Sequence, residues 1–160
     1  MNAQPRVQTI DDLLALEARS LRAVTAVLYA EQRALKNRAA DDLPALAEQK
    51  GDLYGDLAAM ERQRQMFFSR LGVHPGQTGM QDWLARQGSH AARETWNEIL
   101  QLAREARDVN VVNGKLIDEQ MQTNRQALSV LCAASERAGS YGPDGRPVAF
   151  GRYSRQLGSA

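Results

Sequence analysis

The sequence predicts an all-α protein, an antiparallel bundle of three long helices with a short helix between the second and third and a flexible C-terminal tail. Three observations lead there. The chain has 160 residues but only five prolines, which leave three long proline-free runs. Within those runs apolar residues recur at steps of three and four, the spacing of one helix face. The last 22 residues, GSYGPDGRPVAFGRYSRQLGSA, hold five glycines and two prolines, which forbid a helix over most of their length. The bundle domain is therefore placed at 1–138 and the tail at 139–160.

The first run opens at Thr9, with Asp12 three residues on, so a cap hydroxyl and early acids serve the free amides of the first turn. Leu14, Leu21, Leu28 and Leu35 follow at seven-residue intervals, with Ile10 and Val24 beside them. Such a repeat is a seam against other helices. Asn37 to Asp42 makes the turn. In the second run Asp42 is the expected cap, and Pro44 sits in the first turn, where its missing amide costs least. Leu43, Leu46, Lys50, Leu53, Leu57, Met60, Arg64, Phe67 and Leu71 form its seam, with the stems of Lys50 and Arg64 lying along it and their charges at the edge. LGVHPGQTG (71–79) ends this helix. Thr78 and Gln81 have capping-box spacing, so MQDWLARQ is the short helix, anchored by Trp83 and Leu84. Ser89 caps the last run, which continues to Ala138. At about 50 residues it spans roughly 75 Å, against roughly 45 Å for its neighbours. Either it kinks near Gly114 or its second half passes beyond the bundle.

Lys and Arg total 20 against 19 Asp and Glu, a net charge of +1. That balance predicts neither a nucleic-acid nor an acidic-membrane partner. Cys132 is alone, which excludes an internal disulfide framework and fits a reducing compartment. The start shows no signal-peptide pattern, and no stretch approaches the ~20 apolar residues of a membrane span. The expectation is a cytoplasmic protein. Enzyme signatures are missing: no Glu-x-x-His pair, no Cys and His cluster of zinc spacing, no phosphate-binding glycine loop and no Gly-x-Ser-x-Gly. A non-enzyme is predicted, with no cofactor and no metal.

VNVVNGKLIDEQMQTNRQAL (109–128) is the odd stretch. Followed from Trp96 and Ile99, the seam of the last helix reads Ala103, Ala106, Asn110, Asn113, Ile117, Gln120, Asn124, Ala127 and Leu131. It begins apolar and becomes half amide. Buried amides need partners, so Asn110, Asn113 and Asn124 either fix register inside the bundle or belong to a surface that is wet alone and covered in a complex. Gly114 either is a hinge or lets two backbones approach closely. Tyr141, Phe150 and Tyr153 are unusual for a solubility tail and suit docking anchors.

Asn-x-x-Asn-Gly-x-Leu-Ile (Asn110 to Ile117), Asn-x-x-Ala-Leu (Asn124 to Leu128) and Tyr-Gly-Pro-Asp-Gly (Tyr141 to Gly145) together resemble the FlgN-type flagellar secretion chaperones. The resemblance covers the C-terminal third; the first two helices match in length and style alone. It implies a cytoplasmic chaperone of flagellar type III export without ATPase activity. Its clients would be hook–filament junction proteins, held by their C-terminal segments and delivered to the cytoplasmic domain of the export gate. The client face would then comprise Asn113, Leu116, Ile117, Gln120, Asn124, Leu128 and Leu131. Tyr141 would contact the gate, and Phe150 and Tyr153 match no family motif. The alternative is a helical adaptor that self-associates through the third long helix.

Overall fold

Residues 9–73 and 77–139 are described by the computed structural model, and every regular element among them is helical. Helix α1 spans Ile10–Lys36. The Thr9 hydroxyl accepts the Asp12 amide at 3.2 Å, the cap expected from the sequence. Leu14, Val24 and Leu28 are 0% exposed and Leu35 1%, so the seven-residue seam is the centre of the core. At its end Arg38 takes a left-handed φ of 55°, while Arg38 N–H donates to Leu35 O and Ala39 N–H to Ala34 O. This is a Schellman turn with arginine where glycine is favoured.

After a 3₁₀ turn at Ala40–Asp42, α2 spans Leu43–Arg70 with Pro44 in its first turn. Asp42 stands at the N-cap position, but its side chain makes no capping bond; its backbone is already helical, because the 3₁₀ turn runs into the helix. The seam from Leu43 to Phe67 is half-buried at each expected position. Leu71 departs from it at 51% exposure, and Phe68 is buried instead. The helix ends there: Gly72, at φ 67°, closes a second Schellman turn in which Gly72 N–H donates to Ser69 O and Val73 N–H to Phe68 O.

The short α3 spans Gln77–Gln87. It starts before Thr78, so Thr78 sits inside the first turn rather than capping it. Leu84 is buried as expected, and Trp83 forms edge-to-face contacts with Phe67 and Phe68 at 6.2 and 5.2 Å. Such pairs add about 0.5–1.5 kcal/mol beyond their burial, which fixes α3 on the end of α2.

Helix α4 spans His90–Gly139 without interruption at Gly114. Ser89 caps it, its hydroxyl accepting the Ala92 amide at 2.9 Å. A Cβ placed on Gly114 would meet nothing within 4 Å, so close backbone approach is not its reason. The buried side runs through Ala92, Trp96, Ile99, Ala106, Val109 and Asn113, with Leu102 and Leu116 half-buried between and after. The expected track through Ala103, Asn110 and Ile117 is corrected by one residue at each of those steps. Val109 and Leu116 face inward, and the seam is less polar than the sequence suggested.

The chain divides into two compact units, Met1–Ile117 and Asp118–Ala160, so the expected boundary at 138 falls inside the second. In the first unit the ion pairs Glu17–Arg64 and Glu31–Lys50 advance along α1 as they retreat along α2, which makes the two helices antiparallel. Arg22–Glu98 and Tyr29–Glu105 advance together, so α4 runs parallel to α1. Helix α2 thus runs opposite to both α1 and this part of α4.

Candidate functional site

Helix α4 carries the residues singled out from sequence, and the structure separates them. Asn113 is 1% exposed; its amide donates to Leu28 O and to Glu31 Oε2, both at 2.9 Å. Lys50 Nζ reaches the other oxygen of Glu31 at 2.6 Å. This chain of bonds ties α1, α2 and α4 together, and it removes Asn113 from the expected client face. The amide lies inside the bundle, hydrogen-bonded to α1. Two corrections follow for the lysine and arginine of the α2 seam. Lys50 and Arg64 do not end at the solvent edge but on acids that are themselves 6% exposed.

The second of those acids, Glu17, accepts from Arg64 at 3.1 and 3.4 Å, and the guanidinium lies 5.1 Å from the centre of the Trp96 ring. Burial nevertheless raises the Glu17 carboxyl above its ordinary 4.5, outweighing the arginine, with Glu61 adding repulsion. Beside this pair lies a cleft of about 630 Å³ lined by Glu17, Leu57, Arg64, Phe68, Trp96 and Ile99 among others. Neither buried acid was marked from sequence. A charged residue on a helix reads as solvated face until its partner, 47 or 19 positions away, is known.

Leu116 and Gln120 are half-buried, while Ile117 (37% exposed), Leu128 (60%) and Leu131 (64%) are open to solvent, as is Asn124. Met121 (47%) and Val130 (67%) are exposed too and were missed. A signal existed for Met121, which stands four residues after Ile117 and seven before Leu128. Within the second stretch of the helix, Met121, Asn124, Leu128 and Leu131 follow steps of three, four and three, which align them as one stripe along the helix. The stripe is about 15 Å long. Thr123 and Ser129 donate back to Glu119 O and Gln126 O, so these hydroxyls are used within the helix. The stripe can bury apolar surface and offer one central amide. Tyr141, Phe150 and Tyr153 lie outside the described residues.

Among the described residues no three His, Cys, Asp or Glu side chains gather in a metal-binding arrangement, and no helix is long and apolar enough to cross a membrane. The chain is similar, at 29% identity over 118 residues, to the flagella synthesis protein FlgN of Yersinia enterocolitica, and equally to that of its serotype O:8 strain. Each alignment covers 72% of this chain and 72% of the relative. No solved structure gives a significant match. The family model described as "FlgN protein" matches residues 1–149, a span that includes α1 to α4 and Tyr141 and stops before Phe150 and Tyr153. With its whole described helical region inside that match, the chain belongs to the FlgN family.

Proposed function

We propose that this protein is a non-enzymatic chaperone of flagellar protein export, acting in the cytoplasm. It would hold the C-terminal segments of hook–filament junction proteins on α4 and deliver them to the cytoplasmic domain of the export gate. The observation that carries this is the bare stripe on α4, in a family whose relatives bear the name of flagella synthesis proteins. Leu116, Ile117, Met121, Leu128 and Leu131 supply apolar contact, while Gln120 and Asn124 set the client's register. A helix laid on such a face is a common mode of peptide recognition. Tyr141 is assigned to the gate.

The magnitudes fit a client that must be released. Four side chains, Ile117, Met121, Leu128 and Leu131, each stand about half exposed. Completing their burial contributes roughly 3–6 kcal/mol at about 1.5–3 kcal/mol for a full side chain. Association alone costs about 4–15 kcal/mol. The stripe alone therefore falls short of net affinity, so a client must bring further contacts and stays releasable.

The test is calorimetric titration of the full chain with C-terminal peptides of hook–filament junction proteins from the same genome. Saturable binding with a negative heat-capacity change is expected. Leu128→Asp should weaken it at least about tenfold, the ratio that 1.4 kcal/mol represents, with thermal melting unchanged. Tyr141→Ala should keep client binding and lose binding to the gate domain. No heat with any such peptide overturns the client assignment, and unaltered gate affinity overturns that of Tyr141.

One observation favours a second reading, self-association: steps of four and three with an amide in the middle also suit a coiled-coil seam. Sedimentation of the free protein separates the two. A monomer supports the chaperone; an obligate dimer that Leu128→Asp dissociates supports the adaptor.

A further inference from the structure

We propose that α2 is a displaceable strap and that the groove it covers on α1 and α4 is a second helix-binding site, selective for an amphipathic helix with two cationic side chains fourteen residues apart. The inference concerns the first compact unit alone and is independent of the stripe beyond it. Burial is unequal among the three helices. Leu14, Val24 and Leu28 of α1 are 0% exposed, and Trp96, Ile99 and Val109 of α4 between 4% and 8%. Helix α2, with 28 residues to the 27 of α1, buries Phe68 alone among its residues, and Leu53, Leu57 and Met60 are half-buried where they meet the others. Leu53 and Leu57 lie over Val24, Leu28, Ala106 and Val109, which are already packed on one another. Removing α2 would uncover an apolar groove without dismantling the α1–α4 contact.

The strap is also weak as a helix. Gly51 and Gly55 fall in its middle, and a Cβ at either would meet nothing within 4 Å, so no packing demands them. Each weakens the helix relative to alanine. The strap begins and ends at left-handed turns, Arg38 and Gly72. Its fit is incomplete, since the cleft of about 630 Å³ opens along its side between Tyr54, Leu57, Arg64 and Trp96.

Two ion pairs hold it in register. Lys50 meets Glu31 at 2.6 Å and Arg64 meets Glu17 at 3.1 Å, and both acids are 6% exposed. The acids stand fourteen residues apart on α1, about 21 Å or four turns. A helix that replaced α2 without two cations at that spacing would leave a buried carboxylate uncompensated, which is strongly unfavourable. The groove thus rejects apolar helices of the wrong charge pattern. Helix α2 is the internal ligand that meets the requirement.

Hydrogen exchange on the full chain tests the strap, and a labelled peptide of residues 43–70 tests the groove. Amides of α2 should exchange at least about tenfold faster than those of α1 outside its ends, as a sub-global opening requires. The peptide should bind saturably to the full chain and equally to Leu128→Asp, whose altered stripe is elsewhere. A peptide carrying Lys50→Glu and Arg64→Glu should not bind. Exchange of α1 and α2 in one common opening would overturn the strap. Equal binding of the charge-reversed peptide, or loss of binding in Leu128→Asp, would overturn the groove.

Discussion

The pair Glu17–Arg64 shows how two neighbouring charges can be necessary to each other without being stabilising together. The carboxyl is raised above 4.5 because burial costs more than the guanidinium returns. Arg64→Met should therefore be severe, about 3–5 kcal/mol in denaturant melts, since it leaves the buried acid alone. Replacing both with leucine should cost far less. The pH dependence has a definite sign. A carboxyl raised in the folded state binds a proton there more tightly than in the unfolded chain. Its contribution is therefore fully present below 4.5 and is lost as pH rises from there through the folded value. Stability measured across that window should fall with pH by a component that Glu17→Gln lacks; parallel profiles for the two proteins would show that burial and the arginine cancel, and a rise with pH relative to Glu17→Gln would show that the arginine wins. Asn113 is a different case, an uncharged side chain with two acceptors in hand. Asn113→Ala should cost about 1–3 kcal/mol, because Glu31 loses one of its two partners in a buried place.

Helix ends and periods decide what the elements could reveal in advance. Arg38 stands left-handed at φ 55°, a backbone that suits glycine. Arg38→Gly should stabilise by about 1 kcal/mol, read as a higher melting temperature. Gly88→Ala should do the opposite, because the new Cβ would lie 2.7 Å from Leu84 O and from the Leu84 side chain. The seams of α1 and α2 were legible because leucine dominates them and neighbouring positions are polar. The α4 seam was read one step off. The expected and observed tracks share Ala106, Asn113 and Gln120 and differ in whether the step of three or of four comes first. Both Val109 and Asn110, and both Leu116 and Ile117, satisfy a helical period, and only packing against α1 chooses between them. That choice moved Asn110 outward and kept Asn113 inside. Met121, the stripe's missing member, would have been found by counting seven back from Leu128.

At the scale of the molecule, the division at Ile117 was not legible, because the apolar period runs on past it through Met121, Leu128 and Leu131. A sequence period looks the same whether the stripe is covered or bare. The consequence is thermodynamic. From Asp118 to Glu136 no side chain is fully buried, so this part of α4 rests on helix propensity and on continuity with the turns before it. Trp83 and Trp96 both lie in the first unit and report its packing, whereas far-UV circular dichroism reports all helices alike. In the free protein the dichroism should begin to fall below the temperature of the fluorescence transition, a departure from two-state behaviour. Saturating a client peptide should bring the two curves together, since the ligand adds the burial that the helix lacks. Coincident curves in the free protein, with a midpoint that rises with protein concentration, would instead mean that a second copy covers the stripe. In that case Leu128→Asp should separate the curves, and the protein would be a self-associating adaptor rather than a chaperone held open for its client.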